Sequence, residues 1–294
     1  GCVLAPGDPL HYGVGTTILR GVDMDEVTIV PGRSAFTMAT ARLGWTRHEV
    51  ECLTLHGRAV SIFNAYVQPG AKLLILTDDG STPAKIADAL CVMGYGESRI
   101  TVFERMDSAS EGIVQSTAAD WRGAKTDDFN TVAVECIAGP DASSRSRTPG
   151  LPDEVYANDG QLTKREVRAI TLAALRPTPG EMLWDVGAGC GSVAIEWMRM
   201  HPRNEAVAIE RNPDRVQMIA ANAEALGTPR LQIITGTAPT AFAEASAPDA
   251  IFIGGGLSDE GLIESSWTAL RSGGRLVANV VTCLLYTSPS PRDA

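Results

Sequence analysis

No two of the six cysteines (Cys2, Cys52, Cys91, Cys136, Cys190, Cys283) form a Cys-x-x-Cys pair, and no histidine cluster stands beside any of them. That pattern excludes a disulfide framework and a structural zinc site, and predicts reduced thiols in a cytoplasmic protein. The four histidines, His11, His48, His56 and His201, show no metal-ligand spacing, so no metal is expected. Positive charge is also short. A formal net charge of −10 argues against nucleic acid or an anionic membrane surface as the main partner, although a local basic pocket is compatible with it. The longest uncharged apolar run, Leu276 to Tyr286, is too short to cross a bilayer, and no signal-peptide pattern opens the sequence. A soluble protein with neither nucleic-acid nor membrane partner is expected.

What the chain does have is apolar material in an alternating order. Of its 294 residues 44% are hydrophobic and 20% charged, enough for two ordinary cores and too apolar for disorder. In the first half, Cys2-Val3-Leu4-Ala5 reads as a strand entering the turn Pro6-Gly7-Asp8-Pro9. A helix is expected from Tyr12 to Arg20, then a strand Val27-Thr28-Ile29-Val30 that stops at Pro31-Gly32. Ser34 stands where it caps a helix over 35–43. Further strands are expected at 51–55, 72–77, 99–103 and 131–137, with a helix over 83–93 that starts on Pro83 and stops at Gly94. This alternation predicts an α/β domain with a mixed sheet.

Residues 139–154, rich in Pro, Ser, Gly and Arg, read as a linker between domains at 1–138 and 155–282. Thr163 and Glu166 fit a capping box for a helix that runs to about Leu175. Strands at 182–186, 206–210, 231–235, 250–253 and 275–281 then alternate with helices at 192–200, 213–226 and 259–270. Asn212 before Pro213 supplies a good cap and a good first residue. Five strands in this order predict a doubly wound parallel sheet with its ligand at the carboxyl ends of the strands. Residues 283–294 break the pattern with Ser288-Pro289-Ser290-Pro291; they resemble a translated sequencing adapter, and are expected to be a non-native tail without a packed role.

The stretch with chemistry in it is Leu183-Trp184-Asp185-Val186-Gly187-Ala188-Gly189-Cys190-Gly191-Ser192. An apolar strand, three alternating glycines and an apolar helix make a cofactor loop, because glycine is needed where a side chain would block a turn or the approach of a ligand to backbone. The spacing is GxGxG with an acid, Asp185, ahead of it, and Ser192 stands where a dinucleotide fingerprint has its last glycine. With no pyrophosphate to lay on the helix, S-adenosylmethionine is favoured over a nicotinamide dinucleotide. Glu210, at the end of the next strand, stands where the ribose-binding acid belongs in such folds.

These residues, with several others, carry a resemblance. Gly7-Asp8-Pro9-Leu10-His11-Tyr12-Gly13 resembles the GDP loop of the tetrapyrrole methylases, Pro31-Gly32-Arg33-Ser34-Ala35-Phe36 their PGxSA turn, and Leu55-His56-Gly57-Arg58 the LHGR segment of the C5-methylating branch. Gly160 to Arg168, the loop Gly187 to Gly191, and Asp249 to Gly256 resemble the C15-methylating, decarboxylating enzymes. In this order they are similar to the bifunctional precorrin methyltransferase family of cobalamin biosynthesis. The resemblance implies a tetrapyrrole-methylase-like α/β domain followed by a Rossmann-like methyltransferase domain, S-adenosylmethionine as cofactor, a precorrin as substrate and a homo-oligomer as the assembly. The family's first strand with its glycine-rich loop, and the strands closing the second sheet, are expected to be missing. Cofactor contacts carry over to Thr163, Gly187, Ala188, Gly189, Cys190, Gly191, Glu210 and Ala238, and in the first domain to Gly7, Asp8 and Ser34.

Methyl transfer from a sulfonium is an in-line displacement in which the protein chiefly aligns donor and acceptor. A polycarboxylate substrate also needs local cations in an acidic protein, and the candidates are Lys164, Arg168, Arg33, His56 and Arg58. Two alternatives fit the same residues: a Rossmann methyltransferase for another small molecule, and an inactive cofactor binder.

Overall fold

The computed structural model describes residues 1–143 and 145–280. The expected tail at 283–294, and the end of the strand expected to reach 281, lie outside the described residues. The chain divides into two compact units between Ser144 and Arg145.

The first unit runs α1 (Gly15–Ile18), α2 (Ala35–Leu43), β1 (Val50–Thr54), β2 (Lys72–Leu76), α3 (Thr82–Val92), β3 (Arg99–Glu104), β4 (Gly112–Thr117) and β5 (Asn130–Glu135). Its sheet has the order β1-β2-β5-β3-β4, with β1 and β2 parallel and the remaining pairs antiparallel. Side chains alternate between faces along each strand. Leu73, Ile75, Val102 and Val132 pack with Ile86 and Leu90 of α3 on one face, and Leu74, Phe103 and Ala133 with Phe36 and Ala39 of α2 on the other. Ser34 caps α2 through a bond from the Thr37 amide at 3.2 Å.

Three sequence expectations need correction here. Residues 2–5 and 27–30 form no strand: Val3, Leu4 and Val30 stand exposed, and no ladder partner lies beside them. β-branched residues favour a strand only through the neighbours they pack against. The helix expected over 12–20 shrinks to α1, because Tyr12 takes a left-handed backbone, φ 60°. β4 was not expected at all; it is an edge strand whose Ile113 faces water, so its sequence lacks the apolar face of a buried strand.

The second unit runs α4 (Arg165–Leu175), β6 (Met182–Val186), α5 (Ser192–Met200), β7 (Glu205–Glu210), α6 (Pro213–Ala225), β8 (Gln232–Thr235), β9 (Ala250–Ile253), α7 (Leu262–Ala269) and β10 (Arg275–Ala278). The strands form one all-parallel sheet in the order β10-β9-β6-β7-β8. Both faces are covered. Leu183, Ala208 and Phe252 pack under Leu172, Trp197 and Ile219 of α4, α5 and α6, while Trp184, Ile209 and Ile253 pack against Leu262 of α7. Winding runs outward in both directions from β6, so the connection after β6 and the one after β9 diverge at the carboxyl end of the sheet. In such sheets that divergence opens a crevice.

The capping box at Thr163 does not form. α4 begins at Arg165 with Lys164 as N-cap and no side-chain cap bond, so Thr163 falls one residue outside the position from which its hydroxyl reaches the first turn. Nor is the stretch after residue 145 a free spacer. Leu151 and Tyr156 are buried in the core with α5, and the Asn222 amide of α6 accepts from the Ala157 N–H (2.9 Å) and donates to the Ala157 (2.9 Å) and Cys190 (3.0 Å) carbonyls. Asn222→Ala strips all three partners at once, and should cost about 1–3 kcal/mol in denaturant unfolding. An unchanged unfolding midpoint would show that this amide does not hold the segment down.

Candidate functional site

A cleft of about 620 Å³ opens at the divergence point, within the size range of small-molecule sites. Its floor is the glycine loop after β6. Gly187, Gly189 and Gly191 all have positive φ (69°, 60° and 79°), which only glycine adopts without strain. A Cβ on Gly187 would lie 2.9 Å from the Gly255 nitrogen, one on Gly189 2.9 Å from the Gln161 carbonyl oxygen, and one on Gly191 2.9 Å from a methyl of Ile219. The loop is therefore crowded by the connection after β9, by the 160–164 segment and by α6 in turn.

Of the residues expected to hold a cofactor in this unit, Thr163, Gly187, Ala188, Gly189, Glu210 and Ala238 line the cleft together. Cys190 and Gly191 do not. Cys190 points into the core at 1% exposure, its thiol pushed up by burial, and Gly191 serves as the N-cap of α5. Glu210 is 5% exposed at the end of β7; its Oε2 accepts the Gly189 N–H at 2.9 Å and its Oε1 the Asn212 N–H at 2.9 Å. One carboxylate thus ties the glycine loop to the connection into α6.

Asp185 lies beneath the loop with no exposure. Its Oδ2 accepts the Ala194 N–H in the first turn of α5 at 3.0 Å, while Oδ1 has no partner. Burial is the main reason its carboxyl is pushed up to about 7; the Ala194 bond opposes the rise, and Glu210 adds a smaller upward push.

The structure separates Lys164 and Arg168, two of the cations expected to meet the substrate. Lys164 stays exposed on the cleft wall, 3.7 Å from Asp153. Arg168 is fully buried, spent on Glu196, Asp153 and two carbonyls, so it offers no contact to a substrate. A four-residue spacing puts two side chains on one side of a helix, but the buried carboxylate of Glu196 draws one of them inward. The cleft also contains residues not expected from the sequence: Arg211, Arg215 paired with Asp159 at 2.8 Å, Gly254 to Gly256, and Asn279, bonded to Thr171 of α4. The three glycines closing an apolar strand were a legible signal for the opposite wall. Asn279 carried none.

In the first unit the expected residues do local work. Asp8 accepts the Leu10 and His11 N–H groups at 2.9 and 3.1 Å, and the bond from Leu10 is the main cause of its lowered pKa. Gly32 abuts Gly7, whose carbonyl would lie 2.6 Å from a Cβ there, so the Gly7-Asp8 and Gly32-Arg33-Ser34 turns lie side by side. Arg33 pairs with Asp107 at 2.8 Å, both exposed; Arg58 is exposed, and His56 Nδ1 stands 3.4 Å from Asp78. A second groove, about 470 Å³, is lined by His11, Tyr12, Arg47 and Cys52 and by none of the expected first-unit residues.

Residues 1–121 match the tetrapyrrole (corrin/porphyrin) methylases and residues 154–286 the precorrin methyltransferase domain. The chain is 43% identical over 280 residues to a precorrin-6Y C(5,15)-methyltransferase [decarboxylating] of Sinorhizobium sp, covering 95% of this chain and 68% of that one. The chain belongs to this family. A Mycobacterium tuberculosis member is 41% identical over 95% of this chain and 70% of its own. The crystal structure of the C-terminal domain of the Rhodobacter capsulatus precorrin-6Y C5,15-methyltransferase is 45% identical, covers 48% of this chain and 76% of its own, and aligns with a TM-score of 0.46. Within the family's second domain, then, the glycine loop, Glu210 and the 160–164 wall face one cleft. Among the described residues no helix is long and apolar enough to cross a membrane, and no cluster of three or more His, Cys, Asp or Glu is placed to hold a metal ion.

The buried carboxyl yields a pH test. With a native pKa near 7 against about 3.9 unfolded, Asp185 holds more protons in the folded protein between those values, so its contribution to stability falls as pH rises through that window and is flat above it. Asp185→Asn cannot titrate. The variant should therefore gain on the parent between pH 5 and pH 8 in paired denaturant titrations; a constant difference would mean that the carboxyl does not titrate there.

Proposed function

We propose that the chain is an S-adenosylmethionine-dependent C-methyltransferase acting on a precorrin, with C15 methylation and loss of an acetate carboxyl assigned to the second unit and C5 methylation to the first. The observation that carries this reading is Glu210 at the carboxyl end of β7, nearly buried, on a cleft floored by the left-handed glycines Gly187 and Gly189. The fit to an adenosyl ligand is chemical as well as spatial. Each Glu210 oxygen accepts one backbone N–H, which leaves each a lone pair for one of two vicinal ribose hydroxyls. Ala238 is small enough to lie beside an adenine, and Thr163 and Lys164 line the same cleft.

When bound, the sulfonium supplies an electrophilic methyl group whose bond to sulfur breaks with its electron pair going to sulfur. The residues' share is alignment: the glycine floor sets depth, Glu210 sets rotation, and the 160–164 segment closes one side. The acceptor carbon's electron density comes from the conjugated macrocycle, which also takes up the electron pair released with CO₂. A substrate bearing many carboxylates requires cations locally, and on this cleft those are Lys164 and Arg211, Arg215 being engaged by Asp159.

Two measurements test the reading. Glu210→Gln keeps the size of the side chain and removes its charge; calorimetric affinity for S-adenosylmethionine should fall at least about tenfold, or about 1.4 kcal/mol. Unchanged affinity would remove Glu210 from the site. Lys164→Glu with Arg211→Glu should weaken tetrapyrrole binding and flatten its dependence on salt, since the charges that salt screens are gone, with cofactor affinity little changed. Parent-like tetrapyrrole binding by this variant would place the substrate entrance elsewhere.

A further inference from the structure

Arg168 has no exposure, lies on α4 beneath the cleft wall, and is absent from the cleft lining. Its guanidinium makes four hydrogen bonds: Nε to Glu196 at 2.6 Å, Nη1 to Asp153 at 3.1 Å and to the Thr163 carbonyl, and Nη2 to the Leu151 carbonyl. The plane also stands 4.9 Å from the Tyr156 ring. Glu196 in turn accepts the Gly150 N–H (2.6 Å), the Leu151 N–H (3.1 Å) and the Tyr156 hydroxyl (3.0 Å). Every partner outside α5 belongs to residues 150–163. The wall itself leans on the glycine floor, where the Gln161 carbonyl fills the space a Cβ of Gly189 would need.

We infer that Arg168 is a positioning residue for the cofactor: without touching a ligand, it fixes the Thr163 carbonyl and so the depth at which the 160–164 wall meets the glycine floor. A planar fork is required, because four acceptors lie around one guanidinium in directions that a lysine ammonium on its flexible stem cannot serve together. A buried ion pair is weak evidence for stability, since burying the charges costs about as much as their attraction returns. Here the pair's consequence is geometric. The inference rests on the cofactor reading above.

The test is Arg168→Lys, which retains a cation opposite Glu196 and removes the fork. Hydrogen exchange on the protein without ligand should quicken at the amides of 161–164 while those of β6 are unchanged. Calorimetric Kd for S-adenosylmethionine should rise at least tenfold, and in turnover KM for it should rise with kcat altered less than about threefold. Leu175→Ala, a buried cavity variant two turns along the same helix, controls for lost stability and should leave both Kd and wall exchange near the parent values. Equal effects in the two variants, or a parent-like wall in Arg168→Lys, would overturn the positioning role. Should Arg168→Lys not fold, Asp153→Ala removes one partner at the partly exposed edge and should raise Kd about threefold; no rise would count against the inference equally. A parent protein that binds no S-adenosylmethionine while the wall still loosens in the variant would sink the cofactor reading and leave Arg168 a structural clamp only.

Discussion

A methyl group has no room at Gly187, Gly189 or Gly191, and a different neighbour refuses it at each. The connection after β9, the segment entering α4 and the body of α6 all converge on five residues of loop. Close approach of backbone to backbone is what makes the crevice at the sheet's divergence point a shaped cleft rather than a gap between strand ends. Everything else in the second unit follows from holding those three neighbours in place. Asn222 holds α6 against Cys190, the Glu210 carboxylate ties the floor to the next strand end, and the Val186 carbonyl accepts the Gly254 N–H at 2.8 Å.

Buried charge elsewhere in the second unit also fastens backbone. Arg199, beside the Arg168 cluster, donates to the carbonyls of Leu226, Arg145 and Ser146, and burial brings its pKa down to about 10. Tyr156 titrates well above its ordinary range, first because it is buried and then because Glu196 lies beside it. Buried polar groups such as these suit the fastening of irregular backbone, because they direct carbonyls and N–H groups that no helix or strand pairs.

The parts legible in the sequence were those governed by local chemistry. Periodicity located the parallel strands, Asn212 and Ser34 were identifiable as caps, and three alternate glycines after an apolar run marked the floor of the cleft. Illegible were the features set by partners distant in the chain. Val27 to Val30 has the composition of a strand and lacks an edge to join, whereas Gly112 to Thr117 has the edge and little of the composition. Arg168 stood among the expected substrate cations because nothing adjacent in sequence announces Glu196, 28 residues away. Thr163 looked like a cap for the same reason: its carbonyl, not its hydroxyl, is the atom in use.

The fastening of the segment before α4 bears on how the protein is made. Leu151 and Tyr156 leave the ribosome before the surfaces that bury them, and Ala157 meets its partner Asn222 only 65 residues later. At about 5–20 residues per second that interval is roughly 3–13 s, during which an apolar stretch and a set of unpaired backbone groups wait in water. The serines, arginines and prolines that surround Leu151 suit that wait, since they keep the nascent segment soluble until α5 and α6 arrive. A composition that looks like a spacer in the finished sequence is, on this account, suited to a chain synthesised from one end.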